Sequence, residues 1–333
     1  MTAQPLPPDL ADDARWLVQA VDSAVGLARL VRMDEEAYRQ SSFLDDRLLA
    51  AKPEARLCAL GDMLGEARQV NRPAAHWIFH IGHVGSTLVA RLLGELAEFL
   101  SIREPRSLRD LVQSGAGAEV AASIAALMSR TFRPHQRALV KATSFVSEIA
   151  PLLVQPDGQA LFLFASPRHY IQGILAGENS ILELRALEQG RRERLAKRGI
   201  DLAGFDRSDA HLAAAAWACE MTALEAACDA VPAGSVMWAD FDGMLRDMAG
   251  SLAAVTAHFG VPVQHDRLVG IASGPLMRRY SKAPEFDYSP DLRAQLLAEA
   301  GATHHADIGD AINGLARSGH SLIVRALGRA EGE

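Results

Sequence analysis

The sequence predicts an α/β fold of three layers. A parallel sheet of about five strands lies between helices, with a P-loop-type core and a mainly helical N-terminal extension. Three observations carry this. Short apolar runs alternate with longer stretches of helical periodicity. Several of those runs are apolar nearly throughout, as strands covered on both faces must be. One of them, in "HWIFHIGHVGSTLVARLLGEL" (76–96), stops at a loop with two glycines and continues as an amphipathic helix.

Strands are expected at 77–81 (WIFHI), 99–104 (FLSIRE), 138–142 (ALVKA), 160–165 (ALFLFA) and 235–240 (SVMWAD). Helices are expected near 86–97, 117–130, 145–154, 168–178, 208–230 and 244–259. Gly260 and Pro262 stop the last of these. Residues 1–72 precede the first strand and read as helices plus a turn, punctuated by Pro53 and Pro73 and packed on a core domain at 73–333. The arginine-rich stretch 181–198 (ILELRALEQGRRERLAKR) reads as a helix with a solvated face, or as a lid over a cleft. Beyond about 265 the chain is loop-rich, around SGPLMRRYSKAPEFDYSPDLR, and then ends in helices.

Of the 333 residues, 49% are apolar and 23% charged, the balance of a soluble globular protein. A formal net charge of −7 argues against a general nucleic-acid partner, which needs a basic face, and leaves room for a small basic pocket. The N-terminus, MTAQPLPPDLADDARW, has neither the basic nor the apolar segment of a signal peptide. The alanine-rich run 211–231 carries Glu220 and Glu225 and reads as a buried helix, with no membrane insertion expected. Cys58, Cys219 and Cys228 have no metal-ligand spacing and form no even disulfide set. The expected compartment is the cytoplasm. Nothing in the sequence fixes an oligomeric state.

A strand, a tight loop and a helix N-terminus together bind an oxyanion, because successive backbone N–H groups point inward and the helix dipole adds partial positive charge. Here the loop runs Gly82, His83, Val84, Gly85, Ser86, Thr87. The glycines permit its geometry, and the two hydroxyls stand at the first helical turn. Ser86 occupies the lysine position of the ATP-type loop, and the glycines are too closely spaced for that motif. Lys141 lies within an apolar strand, where an unpaired ammonium is costly, and this points to a functional role. Glu104 stands at the carboxyl end of a strand, where α/β folds bind ligands; it can also pair with Arg103 or Arg106 on the surface. His76 and His80 share a strand face, His83 lies beyond in the loop, and spacing fixes no acidic partner, so no metal is expected.

The loop resembles the 5′-phosphosulfate loop of the sulfotransferase family, Pro-Lys/Arg-x-Gly-Thr/Ser-Thr, with His83 at the family's lysine or arginine position. Three further segments keep the family's order, particularly that of its bacterial and tyrosylprotein branches. "SIREPRSLRDL" resembles the segment that carries the general base, which implies that role for Glu104. "ALVKATSF" resembles the segment whose lysine faces the sulfuryl group, which implies that role for Lys141. "SVMWADFDGMLRDMAGSLAAVTAHFGVP" is similar to the family's YEDLL-type signature, with Phe241, Asp242, Met244 and Leu245 on the pattern.

The resemblance covers about 75 to 262 and implies a transfer of sulfuryl from 3′-phosphoadenosine-5′-phosphosulfate (PAPS) to a hydroxyl or amine of a small-molecule or peptide acceptor. Residues 82–87 would hold the donor, Glu104 and Lys141 would act in the reaction, and His83 is the next catalytic candidate. The 3′-phosphate motif departs from the family in "FASPRHYIQGILAGE": Ala165 and Gly173 replace an arginine and a serine, and Arg168 remains. Arg278, Arg279, Ser281 and Lys282 in "MRRYSKAP" are a candidate replacement anchor. A phosphotransferase or hydrolase acting on ATP or GTP, and a noncatalytic protein that keeps the fold, remain as alternatives.

Overall fold

The computed structural model describes residues 3–202, 204–279 and 289–331. Its first sheet is antiparallel, in the order β1 (Trp16–Asp22), β2 (Leu27–Arg32), β3 (Ala55–Ala59). This corrects the reading of residues 1–72 as helices plus a turn. Helical segments are present there, but they flank a sheet. The reason is burial: Trp16 to Val21 are all buried, so β1 has no polar face and shows none of the alternation that marks a half-exposed strand. The turn into β2 is made by Asp22, whose carboxylate accepts the amides of Ala24 and Val25 at 3.1 and 3.2 Å.

The second sheet holds β4 (His76–His80), β5 (Phe99–Arg103), β6 (Arg137–Lys141), β7 (Ala160–Phe164) and β8 (Val236–Asp240). All pairs are parallel, in the order β5-β6-β4-β7-β8. The five expected strands are therefore present, each within a residue of its expected bounds at either end. Ile78, Phe79, Leu161, Phe162 and Leu163 are fully buried, at about 1.5–3 kcal/mol of stabilisation for each large side chain. The chain runs from β4 out to β5 and β6 on one side and later to β7 on the other. The carboxyl end of β4 is thus a topological switch point, the place where open α/β sheets bind ligands.

The N-terminal segment is tied to this sheet by buried arginines. Arg103, 1% exposed, gives its guanidinium to the carbonyls of Tyr38, Arg39 (3.1 Å) and Ser41 (2.6 Å), which closes the helix Glu35–Gln40. Desolvation lowers its pKa to about 9. Leu44 in turn donates its amide to the Arg103 carbonyl at 2.8 Å. The helix Arg106–Ser114 lies against β1, where Ser107 donates to the Val18 carbonyl (2.7 Å) and Asp110 accepts the Val21 amide (3.0 Å).

The arginine-rich stretch forms two helices, Glu178–Ala186 and Glu188–Lys197. Their arginines divide. Arg192 is exposed. Arg194 and Arg198 turn inward to Glu148, and Arg194 also holds Glu220 through two bonds of 2.6 and 2.8 Å. Among the described residues no helix is long and apolar enough to cross a membrane.

His76 illustrates the cost of a buried titratable group. It stacks on Phe259 with ring centroids 4.8 Å apart and accepts the Gln159 amide at 3.2 Å. Burial first, then the nearby Arg137 and His258, lower its pKa to about 3. The unfolded imidazole titrates near 6.5, so between these values the unfolded chain binds the extra proton. The contribution is complete above about pH 6.5 and shrinks as pH falls toward 3. His76→Gln is expected to lose less stability than wild type between pH 7 and pH 4.5, measured by urea unfolding. Equal losses would show that His76 does not set the acid sensitivity.

Candidate active site

The loop after β4 is shaped by three left-handed residues, Gly82 (φ +81°), His83 (φ +54°) and Gly85 (φ +62°). Glycine adopts this region freely, whereas His83 does so against preference. His80 braces the turn. Its Nδ1 accepts the Gly82 amide at 2.9 Å and its Nε2 lies 2.9 Å from the Ala142 carbonyl, which places the ring proton on Nε2. The loop is thereby fastened to the chain just beyond β6. A Cβ on Gly82 would stand 3.9 Å from Ser144 Oγ.

Gly85 caps the helix Ser86–Gly94 without any side-chain hydrogen bond. Among the described residues the amides of Gly85, Ser86 and Thr87 have no protein acceptor. The hydroxyl of Thr87 is buried there without a partner among the described residues. Polar groups in that condition are costly unless something else satisfies them. Phe241, at the start of the helix Phe241–Arg246, closes over the loop so tightly that a Cβ on Gly85 would lie 1.9 Å from its ring.

The parallel register sets Arg103 of β5 opposite Lys141 of β6, and so brings Glu104 beside Lys141. The Glu104 amide donates to the Lys141 carbonyl at 2.7 Å. Lys141 Nζ donates to Glu104 Oε1, and the Thr143 hydroxyl donates to Oε2 at 3.3 Å. The side chains are 1% and 13% exposed, so the two charges face each other in a poorly solvated place. Glu104 is itself left-handed, at φ +49°, a conformation that in a non-glycine residue marks strain of the kind found at functional sites. Surface pairing of Glu104 with Arg103 or Arg106 is not what forms. Arg103 is committed to the carbonyls of 38–41, and Arg106 to Asp46 and Asp110. Phe43 of the N-terminal segment lies over the pair, its ring centroid 5.9 Å from Lys141 Nζ.

His83 meets the helices Pro167–Leu175 and Glu178–Ala186. Its ring meets Tyr170 edge-on, and Nε2 lies 3.7 Å from Glu183. His76, His80 and His83 therefore serve three separate purposes and do not converge.

The segment that the resemblance assigns to a 3′-phosphate departs from its pattern in the fold as well. Ala165 is buried, and its carbonyl accepts Trp217 Nε1 at 2.9 Å. A Cβ on Gly173 would meet Leu297 of the helix Pro290–Thr303 at 3.7 Å. Apolar packing thus occupies the two positions where the resemblance looks for an arginine and a serine. Arg168 is exposed in the first turn of the helix Pro167–Leu175. Arg278 and Arg279 are exposed at the end of a short 3₁₀ turn, Pro275–Arg278, packed on the loop helix. Ser281 and Lys282 lie outside the described residues.

Several groups here are not predicted by the sequence. Thr143 and Glu183 reach the site from separate segments. Asp242 binds His169 Nδ1 at 2.8 Å and also Arg293. Burial pushes the Asp242 carboxyl up, but the His169 and Arg293 contacts outweigh it and leave the group below the usual carboxylate range. The sequence signature contains Phe241 and Asp242, whereas His169 and Arg293 lie 73 and 51 residues away from Asp242 and carry no pattern that links them to it.

No protein-family model matches the chain. No curated protein matches it either. Solved structures similar to it include the sulfotransferase domain of the Synechococcus PCC 7002 olefin synthase, at 15% identity and a TM-score of 0.41 over 70% of this chain and 95% of that one. A sulfotransferase from Alicyclobacillus acidocaldarius is also similar, at 15% identity and a TM-score of 0.37 over 72% and 97% of the respective chains. The mouse sulfotransferase SULT7A1 complexed with PAP follows at 14% identity and a TM-score of 0.35, over 63% and 68%. All three are sulfotransferase structures.

Proposed function

We propose that this chain is a sulfotransferase that moves a sulfuryl group from PAPS to a hydroxyl or amine of a small-molecule or peptide acceptor, in the cytoplasm and without a metal. The single observation that carries this reading is the Lys141–Glu104 pair at the end of the strand beside β4, together with a loop after β4 whose amides and Thr87 hydroxyl lack a protein partner among the described residues. Bound PAPS supplies a sulfuryl group already attached to a leaving phosphate. The amides of Gly85, Ser86 and Thr87 would hold the 5′ oxyanions at the positive end of their helix. Lys141 would neutralise charge on the departing oxygen. Glu104 would accept the acceptor's proton. At rest these two groups neutralise one another, so each must exchange its partner for a reacting atom. On the 3′ side Arg278, with Arg279, Ser281 and Lys282 following it in sequence, would take over the charge missing at Ala165.

Calorimetry tests the donor without knowledge of the acceptor. Adenosine 3′,5′-bisphosphate is expected to bind more tightly than ATP, with or without Mg²⁺. Tight, Mg²⁺-dependent ATP binding with no bisphosphate binding would overturn the reading. It would favour a nucleotide phosphotransferase or hydrolase, the alternative to which the apolar packing at Ala165 and Gly173 lends weight. Arg278→Ala is expected to weaken bisphosphate binding by about 1.5–3 kcal/mol, the range for a hydrogen bond to a charged group, and to leave AMP nearly unaffected. Equal weakening of both would show that this turn does not read the 3′-phosphate.

A further inference from the structure

A cavity of about 440 Å³ lies between the helices Glu178–Ala186 and Glu188–Lys197, the connection after them and the first turns of the long helix Asp209–Ala230. Neither the loop residues 82–87 nor Lys141 and Glu104 line it. Leu184, Leu195, Ile200, Leu202, Phe205 and Ala216 wall it, and all six are buried. Protein interiors leave few voids larger than a water molecule, whereas pockets for small ligands run from about 300 to 1,000 Å³. Exposed residues such as Arg192, Ala196 and Gly199 stand at its mouth, so a ligand has a way in.

Of the charged residues that line it, Glu188, Arg191 and Arg192 already have partners, and Asp201 is exposed, where water screens any ion pair. Arg192 donates to Glu188 at 2.8 Å. Arg191 gives one N–H to the Leu184 carbonyl at 3.2 Å and stands 3.9 Å from Glu220. An anionic ligand would have to compete with these carboxylates for the arginines, and a cationic one would have to displace the arginines themselves. The interior, by contrast, gains from any apolar surface taken out of water. An apolar interior of this kind favours uncharged molecules over charged ones, which lose their hydration on entering.

We propose that this cavity is a binding site for a neutral aliphatic or aromatic small molecule, separate from the donor loop. It stands one helix away from that loop: Leu184 faces the cavity while its neighbour Glu183 reaches His83. The other helix is tethered through Arg194 and Glu148 to the 3₁₀ turn Ser144–Ile149, which follows Lys141 in the chain.

Fluorescence titration of the full-length protein with the neutral dye N-phenyl-1-naphthylamine tests the site. Saturable single-site binding is expected. 1-Octanol is expected to displace the dye at least about tenfold more effectively than octanoate, because only the uncharged head avoids competition with the paired arginines. Ala215→Phe, which fills the cavity from the long helix, should lower dye affinity about tenfold or more with an unchanged melting temperature. Ala196→Phe obstructs the mouth from an exposed position and should do the same, so a folding defect in the first variant does not end the test. Absence of saturable binding, binding unchanged in both variants, or octanoate displacing as well as octanol would each overturn the proposal.

Discussion

Replacing Glu104 by glutamine, or Lys141 by methionine, is expected to slow sulfuryl transfer by about 10²–10⁴-fold, the span usual for a general acid or base. Affinity for adenosine 3′,5′-bisphosphate should fall far less. Lys141 would act on charge that appears only as the donor bond breaks, and Glu104 on a proton that leaves only as the acceptor attacks. Such interactions register in kcat and not in ground-state binding. The structure adds a second signature. The two side chains are ion-paired at 1% and 13% exposure, and removing one partner of a buried pair costs about 3–5 kcal/mol because the other charge is stranded. The double variant should therefore regain much of the stability lost by Lys141→Met or Glu104→Gln alone, and none of the activity. Single-turnover kinetics and thermal melts on all three variants separate the effects. Near wild-type turnover in either single variant would remove that residue from the mechanism and make His83 the next to test.

Gly85→Ala should be the most damaging change in the loop. Two independent costs meet there. Gly85 sits at φ +62°, where an alanine is less favourable by roughly 1–2 kcal/mol. The added methyl would also stand 1.9 Å from the Phe241 ring, and overpacking of that kind costs typically about 1–3 kcal/mol. Either the ring or the loop must move, and the loop carries the amides proposed to hold the 5′ oxyanions. Bisphosphate affinity is expected to drop by about 10²-fold, as for the loss of one strong hydrogen bond to a charged group. Gly82→Ala is the matched control. Its φ is +81°, but the nearest atom is 3.9 Å away, so it should suffer only the backbone cost. Combining Gly85→Ala with Phe241→Ala should restore part of the affinity by relieving the clash. Undiminished binding by Gly85→Ala would show that the anion sits elsewhere.

The parallel sheet was legible because its strands are buried on both faces and so appear as uninterrupted apolar runs, as in Ala160–Phe164. The same rule hid β1. Trp16–Val21 is equally buried, but it belongs to an antiparallel sheet and contains Gln19, so it reads neither as an apolar run nor as an alternating one. At the site, Glu104 and Lys141 could each be singled out from position and chemistry, yet their contact depends on the register between β5 and β6, which no local pattern encodes. The same holds for His169, Asp242 and Arg293. Each side chain is ordinary alone, and only the folded chain makes them neighbours.

Arg103 bears on the order in which the protein can be made. The carbonyls of Tyr38, Arg39 and Ser41 that receive its guanidinium leave the ribosome some sixty residues before it does, since synthesis runs from the N-terminus. The receptor for this side chain is therefore present when the arginine emerges, and the backbone next to Glu104 can settle as soon as β5 forms. A fragment starting at residue 73 would retain every strand of the parallel sheet but would lose the carbonyls of Tyr38, Arg39 and Ser41 that hold Arg103, and would bare the face of the helix Arg106–Ser114 that packs on β1. Adding residues 3–72 back as a separate peptide should rescue its soluble yield, and full soluble yield of the fragment alone would argue that the two parts settle independently. On this view the first seventy residues act as an intramolecular mould for the strand end that carries the proposed base.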